Sequence, residues 1–400
     1  MNNEHTSKTK RRAFLKATAA AAVGTLSMRP ESVFGAPANS APRIGIIGCG
    51  GRGAYVGRFF HETTDAKIVA LMDPFADRLE NLKGMFQDHN PRTFQGVEAH
   101  GDLIESGVDG VVVTSPPYYH PQQVAATVEA GKHVYMAKPV AVDVTGCLSI
   151  VESCKKAAKK NLNFLVDFQT RVTPFFIEAA KRVREGAIGK LVCGQIFYQT
   201  GRLDPKHKPG ETKDQARLRN WVFDKVLSGD IIVEQNVHVL DVSNWYIGTH
   251  PVKAYGTGGR EARTDVGDCW DHFIIIYWYP NNVKIDFSSS QFLKGFHDMC
   301  MRVYGTAGTV DSHYGGVVKI TGDNPYEGGE TESIYRDGSV ANVKQFVENL
   351  KSGKVFNNGE VSAESTLTAV LGRMAAYSGR EVTWDEMMKS NERLEVKLKL

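Results

Sequence analysis

The sequence has no cysteines at the spacing of a metal site. Its six cysteines are scattered over 400 residues without a Cys-x-x-Cys pair or a Cys/His cluster, which excludes a zinc module, and we predict no metal site. An even number permits disulfides, but a chain of this length does not need them for stability. We therefore expect mostly buried free thiols. The six are Cys49, Cys147, Cys154, Cys193, Cys269 and Cys300.

An excess of charge of one sign is also missing. The formal net charge is +3, but residues 1–38 contain six basic and two acidic residues. Without that segment the chain has 42 basic and 43 acidic residues. A chain so close to neutrality has no overall field that would attract nucleic acid or an anionic membrane. We exclude both as partners.

Long hydrophobic runs are absent too. The apolar run Ala17–Leu26 is far shorter than the roughly 18 residues of a membrane-spanning helix. It follows Lys-Arg-Arg-Ala-Phe-Leu-Lys at 10–16 and precedes Ala36-Pro37-Ala38. This order is typical of a secretory signal, and the paired arginines resemble a twin-arginine (Tat) signal; a basic disordered tail is the alternative. We predict that residues 1–38 are a signal peptide for export by the Tat machinery to the periplasm, and that the mature chain has no membrane span.

A glycine-rich turn stands where the first strand of the mature chain should end. The apolar strand Arg43–Ile47 leads into Gly-Cys-Gly-Gly-Arg-Gly, and Ala54–His61 has the pattern of a helix. In this G-x-G-x-x-G arrangement the glycines make the turn, let a pyrophosphate approach the backbone, and let the helix pack on the strand. Free N–H groups at the start of the helix favour the phosphates. The predicted cofactor-binding residues here are Gly48, Gly50, Gly51, Arg52 and Gly53.

An acidic residue follows the second apolar strand. Residues 67–72 end in Asp73, at the distance from the glycines where a carboxylate accepts hydrogen bonds from the adenosine ribose. A carboxylate would repel a 2′-phosphate, so we expect NAD rather than NADP. Arg78 lies farther along, and the neighbouring Asp77 argues against a phosphate-binding role for it. Asp73 capping the next helix is an alternative that does not exclude ribose binding.

Further apolar strands alternate with helices. Residues 108–114 and 132–136 read as strands separated by a helix at 121–130, which is typical of a parallel sheet covered on both faces. In such sheets ligands bind at the carboxyl ends of the strands. We therefore predict an α/β fold whose first domain has the Rossmann arrangement.

Three short motifs together resemble the Gfo/Idh/MocA family of oxidoreductases. They are Ser-Pro-Pro-Tyr-Tyr-His at 115–120, Ala-Lys-Pro at 137–139 and Glu-Gln-Asn-Val-His at 234–238. The resemblance covers nearly all of the chain after the signal segment. It implies a Rossmann domain at 41–160, followed at 161–400 by an α+β domain that binds substrate. The large open antiparallel or mixed sheet of the second domain is expected to form a homo-oligomer interface, in a dimer or tetramer.

The resemblance also implies catalytic roles. Lys138 matches a family lysine beside the nicotinamide ribose, where an ammonium holds the reacting oxygen and stabilises the developing alkoxide. Glu234 and His238 match an Asp-x-x-x-His pair, and their spacing places both on one helical face. His238 is expected to take the hydroxyl proton, with a satisfied core histidine as the alternative; Glu234 would orient the imidazole or bind a neighbouring substrate hydroxyl. Ala137 and Glu234 depart from the family pattern, which has glutamate and aspartate there.

Other residues are expected around the cofactor and substrate. By the same resemblance the cofactor site also includes Ser115, Pro116, His120, Lys138 and Gln169. Arg171 is a candidate substrate residue that is equally compatible with a surface ion pair. Gly201–Trp221 reads as a long loop, either near the mouth of the site or as a solvated excursion. The aromatic candidates for stacking on a sugar ring are Tyr118, Tyr119, Trp221, Trp245 and Trp270, of which the last two are expected in the core.

The leading functional hypothesis is hydride transfer to NAD from a secondary hydroxyl of a sugar, glycoside or cyclitol. Outside the cytoplasm soluble dehydrogenases would not reoxidise released NADH, so we expect tightly bound cofactor that is regenerated in place, by a second substrate or a redox partner. One alternative is an NAD-dependent glycoside hydrolase that oxidises the sugar transiently, eliminates the glycosidic substituent and returns the hydride. The other is a non-catalytic sugar or dinucleotide binder.

Overall fold

The computed structural model describes residues 41–398, so the predicted signal peptide lies outside the described residues. Two β-sheets form the framework of this part of the chain. The strands are β1 (Arg43–Ile47), β2 (Lys67–Asp73), β3 (Arg92–Gln95), β4 (Gly110–Val113), β5 (His133–Ala137), β6 (Phe164–Asp167), β7 (Leu191–Gly201), β8 (Lys253–Gly259), β9 (His272–Trp278), β10 (Lys284–Leu293), β11 (Asp298–Gly305), β12 (Gly308–His313), β13 (Val318–Gly322), β14 (Tyr326–Gly329) and β15 (Val382–Thr383).

Helices connect and cover these strands. Between residues 41 and 398 none of them is both long and apolar enough to cross a membrane. The α-helices are α1 (Gly51–Thr63), α2 (Ala76–Met85), α3 (His100–Ile104), α4 (His120–Glu129), α5 (Val144–Lys159), α6 (Pro174–Arg184), α7 (Lys213–Arg219), α8 (Lys225–Ser228), α9 (Ile231–Glu234), α10 (Val237–Ile247), α11 (Ile334–Ser352), α12 (Gly359–Ser378) and α13 (Trp384–Ser390).

The first sheet has six parallel strands in the order β3-β2-β1-β4-β5-β6. Every residue of β4 is buried, which explains why this strand reads as a continuous apolar run. The strand order reverses between β1 and β4, and ligands of such sheets bind at this switch point. The Rossmann arrangement predicted for the first domain is confirmed, and the glycine turn that follows β1 lies at the switch point.

The first sheet also uses chain segments from beyond residue 160. Strand β6, which the division at 160/161 assigned to the second domain, pairs in parallel with β5. Helix α11 returns from the far end of the chain and packs on the same sheet. Its Phe346 ring lies 6.1 Å from the ring of Phe60 and 5.6 Å from that of Tyr135. Hydrophobic contacts distant in sequence therefore complete this layer.

The second sheet has nine strands in the order β14-β13-β12-β11-β7-β10-β9-β8-β15. Only β7 and β10 pair in parallel among them, so the sheet is mixed, as predicted. Helices α6, α10 and α12 pack on one face. The other face carries alternating exposed side chains, including Ile274 at 57% and Ile276 at 40% exposure. We call this second surface the open face.

The segment Gly201–Trp221, predicted to be a loop, contains the short helix α7. A capping box starts this helix: Thr212 Oγ1 accepts from the backbone N of Gln215 at 3.2 Å, and the Gln215 side chain accepts from the backbone N of Thr212 at 2.9 Å. The two bonds satisfy N–H groups that a helix start otherwise leaves unpaired. The polar composition concealed this helix because its stability comes from the cap rather than from a broad apolar face.

The cysteines behave as predicted. All six are free thiols, and five of them are buried, the exception being the exposed Cys193.

Two glycines of the turn after β1 are fixed by close packing. Gly48 has φ +91°, and a Cβ there would lie 2.5 Å from the backbone N of Ser115. A Cβ on Gly53 would lie 2.0 Å from the carbonyl oxygen of Gly48. The contact places the first turn of α1 directly on the end of β1, as the sequence predicted for the third glycine.

We expect Gly53→Ala to destabilise the protein, because the added methyl group overlaps a backbone atom that cannot rotate away. Overpacking of this kind costs about 1–3 kcal/mol, measurable as a loss of free energy of unfolding in urea. The matched control is Gly51→Ala, in the same helix turn, where a Cβ meets nothing within 4 Å. Equal stabilities for the two variants would contradict the packing argument.

Candidate active site

The carboxyl ends of the first sheet open into a cleft of about 650 Å³. Its lining also includes Tyr198 near the end of β7, His238 at the start of α10, and residues between 203 and 223. The structure brings nearly all of the predicted cofactor and catalytic residues to this one cleft. Those that line it are Gly48, Gly50, Gly51, Arg52, Asp73, Ser115, Pro116, His120, Lys138, Gln169, Glu234 and His238. Gly53 lies beneath the turn, in its packing role.

The glycine turn leaves room for a phosphate group. A Cβ on Gly51 would meet nothing within 4 Å, and one on Gly50 would meet only the Arg78 guanidinium, at 3.7 Å. Gly50 is the N-cap of α1 and makes no side-chain cap, so the first N–H groups of the helix face the cleft without a side-chain acceptor. Free amides at a helix start bind anionic oxygens. The residues present therefore fit the pyrophosphate of a dinucleotide.

Asp73 lies buried at the end of β2. Its carboxylate accepts from the backbone N of Cys49 at 2.8 Å and of Phe75 at 2.9 Å, and Arg78 approaches to 3.9 Å. Burial raises the pKa of this carboxyl above its usual value, and Arg78 opposes the shift. A carboxylate has about four acceptor sites, so two bonds to the backbone leave capacity for ribose hydroxyls. The capping role considered from the sequence is absent, because Asp73 accepts from Phe75, the residue before α2, and α2 has no side-chain cap. Ribose binding stays a prediction.

His120 joins two of the loops that follow the strands. Its ring nitrogens lie 2.9 Å from the carbonyl oxygens of Ser115 and Pro139. Burial lowers the pKa of His120 to about 4, and the hydrogen bonds to the two carbonyls oppose that shift. The Ser115 hydroxyl donates to Gln123 at 2.6 Å. These contacts hold the loop after β4 against the Lys138-Pro139 loop.

Lys138 contacts Glu234 across the cleft. Its ammonium donates to the Glu234 backbone carbonyl and lies 3.4 Å from the carboxylate Oε1. Burial lowers the pKa of Lys138 below its usual value, while Glu234 opposes that shift. An ammonium has three N–H donors. With two directed at Glu234, the third is available for an oxygen in the cleft.

His238 faces the same cleft. It is 5% exposed, and its Nδ1 has no hydrogen-bond partner among the described residues. That unpaired nitrogen argues against a satisfied core histidine. Burial, with smaller contributions from the charges of Lys138 and Arg52, lowers the pKa of His238 well below 6.5. The shift favours the neutral form of the ring and makes it a weaker base than a free imidazole.

The Glu234–His238 pair differs from the prediction in one respect. The two residues do not lie on one continuous helix, because α9 ends at Glu234 and α10 begins at Val237. Gln235 and Asn236 form the break between the two helices. Both side chains nevertheless line the cleft.

Sequence reasoning missed the buried carboxylate of Asp167. Arg52 forms an ion pair with it, Gln169 donates to it at 3.0 Å, and Asn342 of α11 donates at 2.7 Å. Although burial opposes the charge on Arg52, Asp167 raises the pKa of Arg52 above its usual value. Asp167 is the last residue of β6, so the rule that sites form at strand ends would have found it if β6 had been placed in the first sheet.

Three further cleft residues were also missed: Tyr198, Gln235 and Tyr335. The Tyr335 ring lies 4.9 Å from the Arg52 guanidinium. Tyr198 is buried on β7, and Gln235 accepts from Gln291 at 2.7 Å. Only the position of Gln235, beside Glu234, gave a sequence signal for any of them.

Two predicted substrate residues do not line the cleft. Arg171 forms two hydrogen bonds with the buried Asp241, at 2.9 and 2.8 Å, and stacks over Trp245. The ion-pair alternative therefore describes Arg171, although its partner is buried rather than on the surface. Tyr118 packs on the neighbouring Tyr119 ring instead of facing the cleft. Its hydroxyl accepts from the backbone N of Val396 at 3.4 Å.

The other aromatic candidates divide between cleft and core. Trp221 and Tyr119 line the cleft. Trp270 stacks on Tyr377 at 4.0 Å, and both Trp245 and Trp270 pack against the main hydrophobic core. The core packing expected for these two tryptophans is confirmed.

The segment after β7 closes one end of the cleft, and we call residues 202–224 the clasp. Arg219 of the clasp donates to Asp77 of α2 at 3.2 Å, and its guanidinium lies 4.1 Å from the centre of the Phe75 ring. Lys208 forms a second ion pair with Asp77, at 3.2 Å. Because Phe75 and Asp77 follow Asp73 closely, the clasp covers the cleft where adenosine would lie.

Comparison with known proteins agrees with this geometry. Residues 42–164 match the family model of the GFO/IDH/MocA oxidoreductases, described as an oxidoreductase family with an NAD-binding Rossmann fold. Residues 176–311 match the model of the GFO/IDH/MocA C-terminal domain. The first model covers strands β1 to β5, and the second covers β7 to β11 and most of β12.

Similar proteins are distributed over several bacteria. The chain is 26% identical over 361 residues to the myo-inositol 2-dehydrogenase of Thermotoga maritima, which covers 86% of this chain and 99% of that protein. It is 26% identical over 274 residues to the inositol 2-dehydrogenase of Rhizobium meliloti. This match covers 67% of this chain and 74% of that protein. The crystal structure of the aldose-aldose oxidoreductase of Caulobacter crescentus has the same fold, with a TM-score of 0.69 at 19% identity over 86% of this chain and 100% of that one. The chain belongs to the GFO/IDH/MocA family of NAD-binding oxidoreductases.

Proposed function

We propose that this protein transfers a hydride from a secondary hydroxyl of a sugar or cyclitol to NAD. One observation carries the proposal: Lys138, Glu234 and His238 face the same cleft as the open glycine turn. An oxidation of this kind needs a hydride acceptor, a proton acceptor and a group that stabilises the alkoxide. Bound NAD supplies the hydride acceptor, and the chain supplies the other two.

The side chains divide the remaining work between them. The neutral ring of His238 accepts the hydroxyl proton of the substrate. Lys138 directs its remaining N–H at the same oxygen and stabilises the negative charge that develops on it. Glu234 holds the ammonium in place through its backbone carbonyl and carboxylate. A group held before the reaction begins needs no reorganisation when charge develops.

The relatives favour oxidoreduction over net glycoside hydrolysis. The Thermotoga and Rhizobium proteins are named as inositol dehydrogenases, so a ring of secondary hydroxyls is the substrate class that we propose. The intact set of Lys138 and His238, both directed into a cleft that fits a dinucleotide, argues against a non-catalytic binder.

The first test is absorbance near ~340 nm, where reduced nicotinamide absorbs, on dialysed protein with a panel of inositols, aldoses and glycosides. We expect a substrate to reduce the bound cofactor stoichiometrically, and the cofactor to stay reduced until an acceptor is added.

Lys138→Met should lower turnover by about 10²–10³-fold, as removal of an oxyanion donor does, without loss of NAD binding. Lys156→Met, on the exposed face of α5, is the control for removal of one charge.

Two results would contradict the proposal. Parental turnover in Lys138→Met would remove that residue from the reaction. Catalytic cleavage of a glycoside without lasting reduction of the cofactor would show a hydrolase.

We further propose that the clasp makes the cofactor tightly bound. Release of a dinucleotide requires the Arg219–Asp77 and Lys208–Asp77 ion pairs to open, together with the Arg219–Phe75 stacking. Arg219 is mostly shielded from solvent, with 8% of its side chain exposed, so its ion pairs are less screened than those on the surface. The C-terminal segment supports the clasp, because Val396 and Leu398 pack on the cluster that contains Phe75 and Leu218.

Arg219→Ala should therefore speed NADH dissociation by about tenfold, which corresponds to a loss of about 1.4 kcal/mol. The rate is measurable as the decay of bound NADH fluorescence after excess NAD is added. Arg202→Ala is the matched control, because Arg202 also lies in the clasp but pairs with Asp265 instead of α2. An unchanged dissociation rate in Arg219→Ala would show that the clasp does not retain the cofactor.

We also propose export through the twin-arginine pathway to the periplasm, on the basis of residues 10–38. Tight cofactor binding is compatible with this route, since the protein would acquire NAD before leaving the cytoplasm. Replacement of Arg11 and Arg12 by lysine should keep the full-length protein in the cytoplasm of the producing cell. Export that is unaffected by this double substitution would refute the proposal.

Oligomerisation is proposed through the open face. Exposed Ile274 and Ile276 alternate along β9 there, and Tyr255 on the neighbouring β8 is 48% exposed. Apolar side chains presented together on an uncovered sheet are typical of an interaction surface. A second copy of this chain is the occupant we propose, in a dimer or tetramer, and sedimentation equilibrium of the protein would reveal a monomer if this is wrong.

A further inference from the structure

Strands β11 and β12 bring a thiol, a carboxylate and an imidazole together outside the cleft. Cys300, Asp311 and His313 each offer one ligand atom, and these three atoms lie within 4.8 Å of one another. Cys300 pairs directly with His313 in the antiparallel register, and Arg302 pairs with Asp311. All of them therefore project from one face of the two-stranded ladder, the open face, and none lines the active-site cleft.

The orientation of His313 is set by a fourth residue. Its Nδ1 lies 2.7 Å from Asp298 Oδ1, and its Nε2 lies 3.4 Å from Asp311 Oδ1. When a carboxylate accepts a hydrogen bond from one ring nitrogen of a histidine, the other ring nitrogen carries the lone pair. That lone pair points away from the carboxylate. Histidine ligands of metals characteristically have such a carboxylate partner, which fixes the ring and raises its basicity. Asp298 occupies this supporting position.

The distances within the cluster match a small thiophilic cation. Ligands of zinc lie about 2.0–2.3 Å from the metal, so in a tetrahedral site a nitrogen and an oxygen are about 3.3 Å apart and a sulfur and an oxygen about 3.5 Å apart. Here the nitrogen-to-oxygen distance is 3.4 Å, and Cys300 Sγ lies 3.9 Å from Asp311 Oδ1. Both distances lie within about 0.4 Å of the tetrahedral values, and the ligand atoms of Cys300 and His313 lie within 4.8 Å of each other.

We propose that Cys300, Asp311 and His313 bind a divalent transition-metal cation of the zinc type on the open face. The Cys300 thiol loses its proton to solvent as the metal–sulfur bond forms. Asp311 and His313 line a cavity of about 460 Å³ together with Asp298 and Lys319, and water from this cavity would complete the coordination. The metal would link β11 to β12 at a point one residue before Tyr314, which donates to Gln169 at 2.7 Å.

One side chain competes with the cation. Arg302 donates to Asp311 Oδ1 at 2.9 Å, so this oxygen binds either the guanidinium or the metal. Without a metal the cluster is a polar network, in which His313 lies between the carboxylates of Asp298 and Asp311. Removal of Arg302 distinguishes the two states. It should strengthen metal binding if the cluster binds a cation, and it should produce no metal binding if the cluster is only a polar network.

A second group of potential ligands serves as the comparison. His61, Asp88 and His89 also lie within 4.8 Å of one another. In that group His89 Nδ1 accepts from the backbone N of Ile68, and the Lys67 ammonium lies 3.4 Å from His89 Nε2. Both nitrogens of His89 therefore already accept from donors of the chain, so neither offers a free lone pair to a cation.

The test is equilibrium dialysis of the whole purified protein against zinc, followed by elemental analysis. We expect one zinc per chain, with affinity at least 100-fold lower in Cys300→Ser and in His313→Ala. Asp298→Asn should weaken binding by about 10–100-fold, as loss of a supporting carboxylate does, and Arg302→Gln should strengthen it. With cobalt, the parent should show thiolate-to-cobalt charge-transfer absorption that Cys300→Ser lacks.

The controls separate the proposal from its alternatives. His61→Ala should bind zinc like the parent, and circular dichroism with retained NAD content shows that each variant is folded. Absence of zinc binding in folded parent protein would establish the polar network instead. Zinc binding that persists in Cys300→Ser but disappears in His61→Ala would place the metal at the other group and overturn the proposal.

Discussion

The active site depends on one buried carboxylate, Asp167 at the end of β6. It receives hydrogen bonds from Arg52 on α1, from Gln169 just beyond the strand, and from Asn342 on α11. An unpaired carboxylate buried away from water costs several kcal/mol, so these elements must converge on it. Because α1 starts at the phosphate-binding turn and α11 returns from the far end of the chain, the cleft is complete only when the second half of the chain has packed on the first sheet.

The sequence predicts those parts of the site that depend on local geometry. A glycine turn between a buried strand and a helix has one structural meaning, so the positions of Gly48 and Asp73 followed from neighbouring residues alone. Contacts distant in sequence were harder to predict. The sequence predicted Arg171 as a candidate substrate residue. In the structure a 3₁₀ turn at Thr170–Val172 directs its side chain to Asp241. No local pattern shows that this buried carboxylate lies in reach.

Strand pairing also brings together residues whose proximity is not visible in the sequence. The sequence predicted no metal site because it has no Cys-x-x-Cys pair and no Cys/His cluster, and Cys300 and His313 lie thirteen residues apart. In the sheet they are direct neighbours, since an antiparallel register brings together residues whose separation depends on the length of the turn. The clasp is similar: Arg219 and Asp77 are 142 positions apart, and only the approach of the second domain to α2 makes them partners.

The charges around the reacting groups indicate what kind of substrate the cleft accepts. Arg52 is paired with Asp167, Lys138 is paired with Glu234, and His238 is neutral because burial lowers its pKa. The four charges therefore cancel in pairs, whereas Arg52 Nη1 and His238 Nδ1 have no partner within residues 41–398. An anionic substrate would add an uncompensated charge to a partly desolvated site, which is costly. A ring of hydroxyl groups adds none, and each hydroxyl both donates and accepts, so a neutral polyol leaves the ion pairs intact.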